Sequence, residues 1–159
     1  FYGSGAEKIT MPEGVTYIGC GCFSGSQIKK IVIPESVETL GEDAFSECVK
    51  LKEIFLPGQL KKITLSSFSG CKNLEKIYIS SKNIQKIKTT AVVIKSDNLT
   101  IYVPKGKKEA YRNMMMEGYE EYHPDLTQEE LEYIEKISWQ EVEDDEWDNK
   151  IMLQKERKQ

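Results

Sequence analysis

A four-residue pattern, apolar–x–apolar–Pro, returns along most of the chain and constrains its fold more than any other feature. Its prolines are Pro12, Pro34, Pro57 and Pro104, with Ser80 in the slot between the last two, at spacings of 22, 23, 23 and 24 residues. A period of this length holds one small supersecondary unit. Such a unit cannot bury its own apolar face, so successive units must stack into a solenoid. The stretch Ile31–Pro57, reading IVIPESVETLGEDAFSECVKLKEIFLP, contains one unit and the opening of the next.

The first strand of each unit is expected at Ile9–Met11, Ile31–Ile33, Ile54–Leu56, Ile77–Ile79 and Ile101–Val103. Alternation sends the first and third residue of each strand inward and the middle one outward. A further apolar residue stands three positions earlier, at Ile28, Leu51 and Leu74, with Ala6 as a weaker version. The result is L-x-x-I-x-L, the strand portion of a leucine-rich repeat. A second apolar pair follows each proline slot: Val15/Ile18, Val37/Leu40, Leu60/Ile63 and Ile84/Ile87. Five residues on stands Phe23, Phe45, Phe68 or Val92, in turns such as AFSEC and SFSGC. These large residues predict a buried spine running from coil to coil.

The pattern I-x-I-P-x-x-V-x-x-I/L-G…A-F-S-x-C-x-x-L resembles the BspA-type leucine-rich repeats of bacterial surface proteins and some protists. The match covers roughly residues 1–112 and is best in Ile31–Pro57. The ending IYVPKGKKEAYRN is similar to that family's terminal unit, a last strand followed by a short helix. The chain departs from the ordinary leucine-rich repeat in lacking an Asn ladder. It departs from the BspA pattern at Ser80 and at 91–99, where Ala91-Val92-Val93-Ile94 replaces the Phe-containing turn. The implied fold is an α/β repeat solenoid, right-handed, with a parallel strand ladder, a C-terminal helical cap and an acidic helical tail. Phe1 precedes Ile9 by the eight residues that separate Phe23 from Ile31, so the chain reads as the C-terminal part of a longer array.

Two segments are expected, a solenoid over 1–112 and a cap end, linker and tail over 113–159. Residues 1–112 carry 17 Lys+Arg against 11 Asp+Glu, whereas 113–159 carry 5 against 15. Such a split marks two different surfaces and makes self-association through the acidic tail one reading of the chain. Helices are expected at Lys107–Met116, ending near Gly118, and at about 128–137, where Thr127-Gln-Glu-Glu130 forms a capping box. Leu126 and Leu131 are placed for the accompanying staple. Ser138-Trp-Gln-Glu141 repeats the capping signal and predicts a further helix. Trp139 and Trp147 sit in an otherwise polar tail and require a surface, either the solenoid flank or another molecule.

Residues with catalytic chemistry are sparse. The single histidine, His123, precedes a proline in a linker, which leaves no His-based triad or metal cluster. The run EVEDDE lacks the alternating ligands and glycine of a calcium loop and reads as a solvated charged face. Cys48 and Cys71 share one repeat slot, 23 residues apart, and are expected as stacked free thiols, with a bridge as the alternative. Cys22 takes a small-residue slot, Cys20 an exposed one. Asn98-Leu-Thr100 fits a glycosylation sequon, relevant only in a eukaryotic secretory pathway. No cofactor, metal or nucleic-acid motif is present in the sequence, and no apolar run is long enough to cross a membrane.

The outward face of the strand ladder is the expected binding surface. Its middle positions run Thr10, Val32, Phe55, Tyr78 and Tyr102, and two residues earlier the row reads Lys8, Lys30, Glu53, Lys76 and Thr100. An exposed aromatic row beside lysines suits a protein or glycan ligand, although aromatic and β-branched residues also simply suit strand surfaces. The candidate ligand-binding residues are Val32, Phe55, Tyr78, Tyr102, Lys30, Glu53 and Lys76. The expected function is non-enzymatic recognition or adhesion. Resemblance to the BspA family implies host or extracellular-matrix protein partners and a cell-surface or secreted location. The rivals are a structural module assembling through its tail, and the targeting arm of a larger surface protein or enzyme.

Overall fold

The computed structural model describes residues 2–88, 94, 96–122, 125–147 and 149–150. Its strands are β1 (Tyr17–Ile18), β2 (Lys30–Val32), β3 (Thr39–Leu40), β4 (Glu53–Leu56), β5 (Lys62–Thr64), β6 (Lys76–Ile79), β7 (Lys86–Lys88), β8 (Thr100–Pro104) and β9 (Ser138–Val142). Two helices, α1 (Lys108–Tyr122) and α2 (Gln128–Lys136), lie between β8 and β9. Every strand pairing is parallel. The first strands of the coils build one continuous ladder in the order β2-β4-β6-β8-β9, while the second strands form the shorter pairs β1-β3 and β5-β7. This is the repeat solenoid that the 22–24-residue period dictates.

The inward positions close as the alternation requires. Ile31, Ile54, Ile77 and Ile101 are buried in register, as are Ile18, Leu40, Ile63 and Ile87 on the second strands. Between them run Phe23, Phe45 and Phe68, stacked with centroids 5.3 and 6.4 Å apart. The turns that carry them are bonded from coil to coil, Phe23 N–H donating to Ala44 O at 2.8 Å and Phe45 N–H to Ser67 O at 2.9 Å. Val92, the fourth spine position, lies outside the described residues.

Small and polar repeat slots have equally local causes. Gly41 passes so close to the preceding coil that a Cβ there would stand 2.5 Å from the Cys20 backbone nitrogen. The slot of Gly3, Gly25, Glu47 and Gly70 has φ of 60°, 69°, 55° and 74°, so three of these four occupants are the residue that reaches this region without strain. Cys48 and Cys71 are unbridged. Each thiol donates to a carbonyl one coil back, Cys48 to Phe23 O and Cys71 to Phe45 O, both at 3.1 Å. The neighbouring Cys48 sulfur, together with burial, pushes the Cys71 thiol up. Ser80, in the proline slot, uses its hydroxyl on Leu56 O at 2.9 Å.

Three expectations are corrected. Ile9–Met11 does not join the ladder: both apolar residues lean on the core without pairing with β2, although β1 of the same coil pairs with β3. Helix α1 runs through Gly118 to Tyr122 rather than ending there, with Gly118 buried where α1 packs on β7. Ser138–Val142 is not a third helix. It adds to the open edge of β8, with Ser138 opposite Thr100 and Val142 opposite Pro104. Five residues of unpaired backbone outweigh a local capping signal, since each unmade buried hydrogen bond costs about 1–3 kcal/mol.

The cap is thus shared. Helix α1 packs on β7, and the Tyr111 hydroxyl donates to Ser81 O at 2.8 Å while accepting from Ile84 N–H. Strand β9 completes the ladder, and Glu141 Oε1 accepts from Gly106 and Lys108 N–H at the start of α1. That placement puts a carboxylate at the positive end of the helix. The Thr127–Glu130 capping box of α2 forms as expected. Tyr119, Ile134, Ile137 and Trp139 join the same apolar core as the repeats.

Candidate functional site

Parallel register stacks identical repeat positions, so the outward face of the long ladder is set by which residue occupies the middle of each strand. Val32, Phe55, Tyr78, Tyr102 and Gln140 stand side by side. Phe55 and Tyr78 lie 4.2 Å apart between centroids and 5° from parallel, and Tyr78 and Tyr102 4.5 Å and 15°. Three rings form one column. Beside it, Lys30, Glu53 and Lys76 are in register, with Glu53 between the two lysines. Glu53 pairs with Lys30 and accepts from Lys76 Nζ at 3.4 Å, while Lys30 also lies 5.5 Å from the Phe55 ring centroid. Burial works against the Glu53 carboxylate, but the two ammonium groups outweigh it and hold the acid below its usual range.

The structure brings all seven expected residues onto one face. It corrects their expected exposure. Phe55 is 3% and Tyr78 7% exposed, because the C-terminal segment lies over them. Val142 and Trp147 form a separate apolar cluster with Phe55 and Tyr78, joined at its margins by half-buried Val32 and Tyr102. Trp147 meets Tyr78 edge-on, 6.3 Å between centroids at 85°. Lys150 Nζ sits 5.9 Å from the Tyr78 centroid and 5.8 Å from that of Tyr102. Burial, with Glu53 and Tyr102 adding negative potential, pushes the Tyr78 phenol up to about 12.

The segment that supplies Trp147 is fastened at its start by exposed ion pairs. Lys105 pairs with Glu143 and Lys82 with Asp144, both at 2.8 Å. The Glu143 carboxylate raises Lys105 above its ordinary range. The Trp147 indole is only 6% exposed, yet its N–H has no acceptor among the described residues. A buried donor left in this state costs about 1–3 kcal/mol, which offsets much of what burying the ring contributes.

A model of the BspA type leucine rich repeat region matches residues 1–115, in six copies. The chain belongs to the BspA-type leucine-rich repeat family. No curated protein and no solved structure matches it. BspA-type repeats are interaction modules, typically non-enzymatic and often surface-associated. The match covers the coils that carry the aromatic column. It stops before α2 and β9, so the cover over the column comes from outside the matched repeats.

Val142, Trp147 and Lys150 are the contributors that repeat reasoning missed. Their signal was the pair of tryptophans, which a polar tail has no reason to carry unless it buries them. The two go to different places: Trp139, opposite Ile101, joins the interior, and Trp147 the outer column. The remaining candidates have structural roles or lie elsewhere. His123 is outside the described residues. The acidic run supplies Glu141 to α1, Glu143 to Lys105 and Asp144 to Lys82, and no group of three metal-ligating side chains occurs among the described residues. No helix among them is long and apolar enough to cross a membrane. A cleft of about 210 Å³ between Ser96–Asp97 and α2 is lined by Glu129, Glu132, Tyr133 and Lys136. It is smaller than most small-molecule sites.

Proposed function

We propose that this chain is a non-enzymatic, adhesion-type recognition module whose protein ligand docks on the outward face of the long ladder. The observation that carries the reading is the column Phe55–Tyr78–Tyr102, in register beside Lys30–Glu53–Lys76. The solenoid core does not need aromatic rings on its outer face. Stacked rings beside fixed charges offer area, cation–π contact and directional ion pairing together, the mixture found at the centre of protein interfaces. Val32 and Tyr102, at the half-buried margins, make first contact, while Phe55 and Tyr78 form the centre. A host or extracellular-matrix protein is the favoured partner class and a cell-surface or secreted protein the favoured setting, both on family grounds.

The test is binding of surface-immobilised matrix proteins by the native chain and by Phe55→Ala/Tyr78→Ala. The double variant should lose binding while keeping its circular dichroism spectrum, and unchanged affinity for a bound partner overturns the proposal. A glycan ligand would appear as binding that survives proteolysis of the immobilised matrix. Assembly through the acidic tail is less favoured. The pairs Lys82–Asp144 and Lys105–Glu143 already commit two tail carboxylates to the chain's own repeats.

A further inference from the structure

We infer that residues 143–147 together with Lys150 are a built-in occupant of the aromatic face, displaced by a partner segment of the same chemistry: an acidic residue, an aromatic three positions on, and a lysine or arginine three beyond that. The inference rests on the strand-face reading and adds the ligand class and the gate. The occupant itself displays the recognition rule. Asp144 pairs with Lys82, Trp147 stands edge-on to Tyr78, and Lys150 lies over Tyr78 and Tyr102. The three residues are spaced i, i+3 and i+6, which places them along one side of a helical turn. Lys82 and Lys105 favour acidic chain at the entry, and the faces of the two tyrosines favour a cation at the exit.

The cover is built to yield where β9 is not. Strand β9 holds a parallel hydrogen-bonded ladder to β8 through Val142. Beyond it, the fastenings among the described residues are solvent-exposed ion pairs, weak in water, and an indole whose N–H finds no acceptor there. A partner whose aromatic needs no acceptor, or brings its own, makes the same contacts without that deficit. Tethering through β9 gives the resident segment an effective concentration in the millimolar range, so it excludes weak competitors and admits better ones.

The test is an NMR titration of the whole chain with a synthetic peptide of sequence Glu143–Lys150, following the tyrosine ring resonances. Trp147→Ala should bind the peptide at least tenfold more tightly than the native chain, and Trp147→Ala/Tyr78→Ala should not bind it. Lys82→Glu, which loosens the cover without touching the rings, should also perturb them in the absence of peptide. Equal affinity for native and Trp147→Ala chains, or no binding to either, overturns the inference. A protein ligand lost in Phe55→Ala/Tyr78→Ala but indifferent to Trp147→Ala would sink the gate and leave the binding face standing. Peptide binding without any matrix-protein ligand would uphold the gate and sink the adhesion reading.

Discussion

Two columns of three aromatic rings run along the same array, and they differ in what closes them. The inner column, Phe23–Phe45–Phe68, sits on the turns and is sealed by the coils, with ring spacings of 5.3 and 6.4 Å. The outer column, Phe55–Tyr78–Tyr102, sits on hydrogen-bonded strands, and its spacings of 4.2 and 4.5 Å are close to the 4.7–4.9 Å strand separation. Repetition alone orders both. Only the inner one is also buried by repetition, whereas the outer one relies on a segment from beyond the repeats. A stack that the coils seal belongs to stability, and one sealed by an appendage is available to change partners.

Variants can break that contrast in descending order of effect. Phe45→Ala empties a fully buried site between two stacked rings and should cost about 3–5 kcal/mol, read as a lower urea midpoint for the whole array. Phe55→Ala removes a ring of the outer column and should cost less, about 1.5–3 kcal/mol, because the tail can settle into the space. An effect as large as that of Phe45→Ala would make the two columns equivalent. Trp147→Ala should cost only about 1 kcal/mol, since the lost burial is offset by removing an unsatisfied donor. Its signature is electrostatic: the Tyr78 phenol, held near 12, should fall toward its ordinary value of 10, seen as the difference in alkaline absorbance titration from the matching Tyr78→Phe chain.

The smallest effect is the acid response of the outer face. Glu53 titrates below its ordinary value of 4.5 when folded, so the folded chain binds fewer protons than the unfolded chain in that range. Its contribution is therefore present above about pH 4.5 and is lost as pH falls through the lower folded value. Glu53→Gln should flatten the stability profile in this window alone, checked by urea melts from pH 3 to pH 6. Tyr78 acts in the opposite direction. Its raised value contributes stability that is complete below pH 10 and is lost as pH rises through about 12.

The inner column was legible in the sequence because a period of 22–24 residues puts each spine residue directly over the last. The ladder register and the Thr127–Glu130 box were legible for the same kind of reason: local spacing decides them. The outward orientation of Val32, Phe55, Tyr78 and Tyr102 was likewise legible, since the middle of a strand points outward whatever lies above it. What lies above it was not legible. Ser138-Trp-Gln-Glu141 carries a helix-start signal, and only the distant edge of β8 turns it into a strand. Trp139, Val142 and Trp147 form no stripe of one period, because they serve two separate clusters on opposite sides of the ladder.

The seating of β9 on β8 has a consequence for growth in the other sense, from molecule to molecule. A parallel ladder whose last strand is bare is a template on which another chain can add, and each addition recreates the template. Among the described residues β9 is the outermost strand of the ladder, and it leads directly into Glu143, Asp144, Asp145 and Glu146, so its outer edge ends in a cluster of acidic residues. A second such ending meets repulsion where pairing would begin. The sequence that seals the outer rings therefore also sets like charges against edge-to-edge pairing of β9 between two copies.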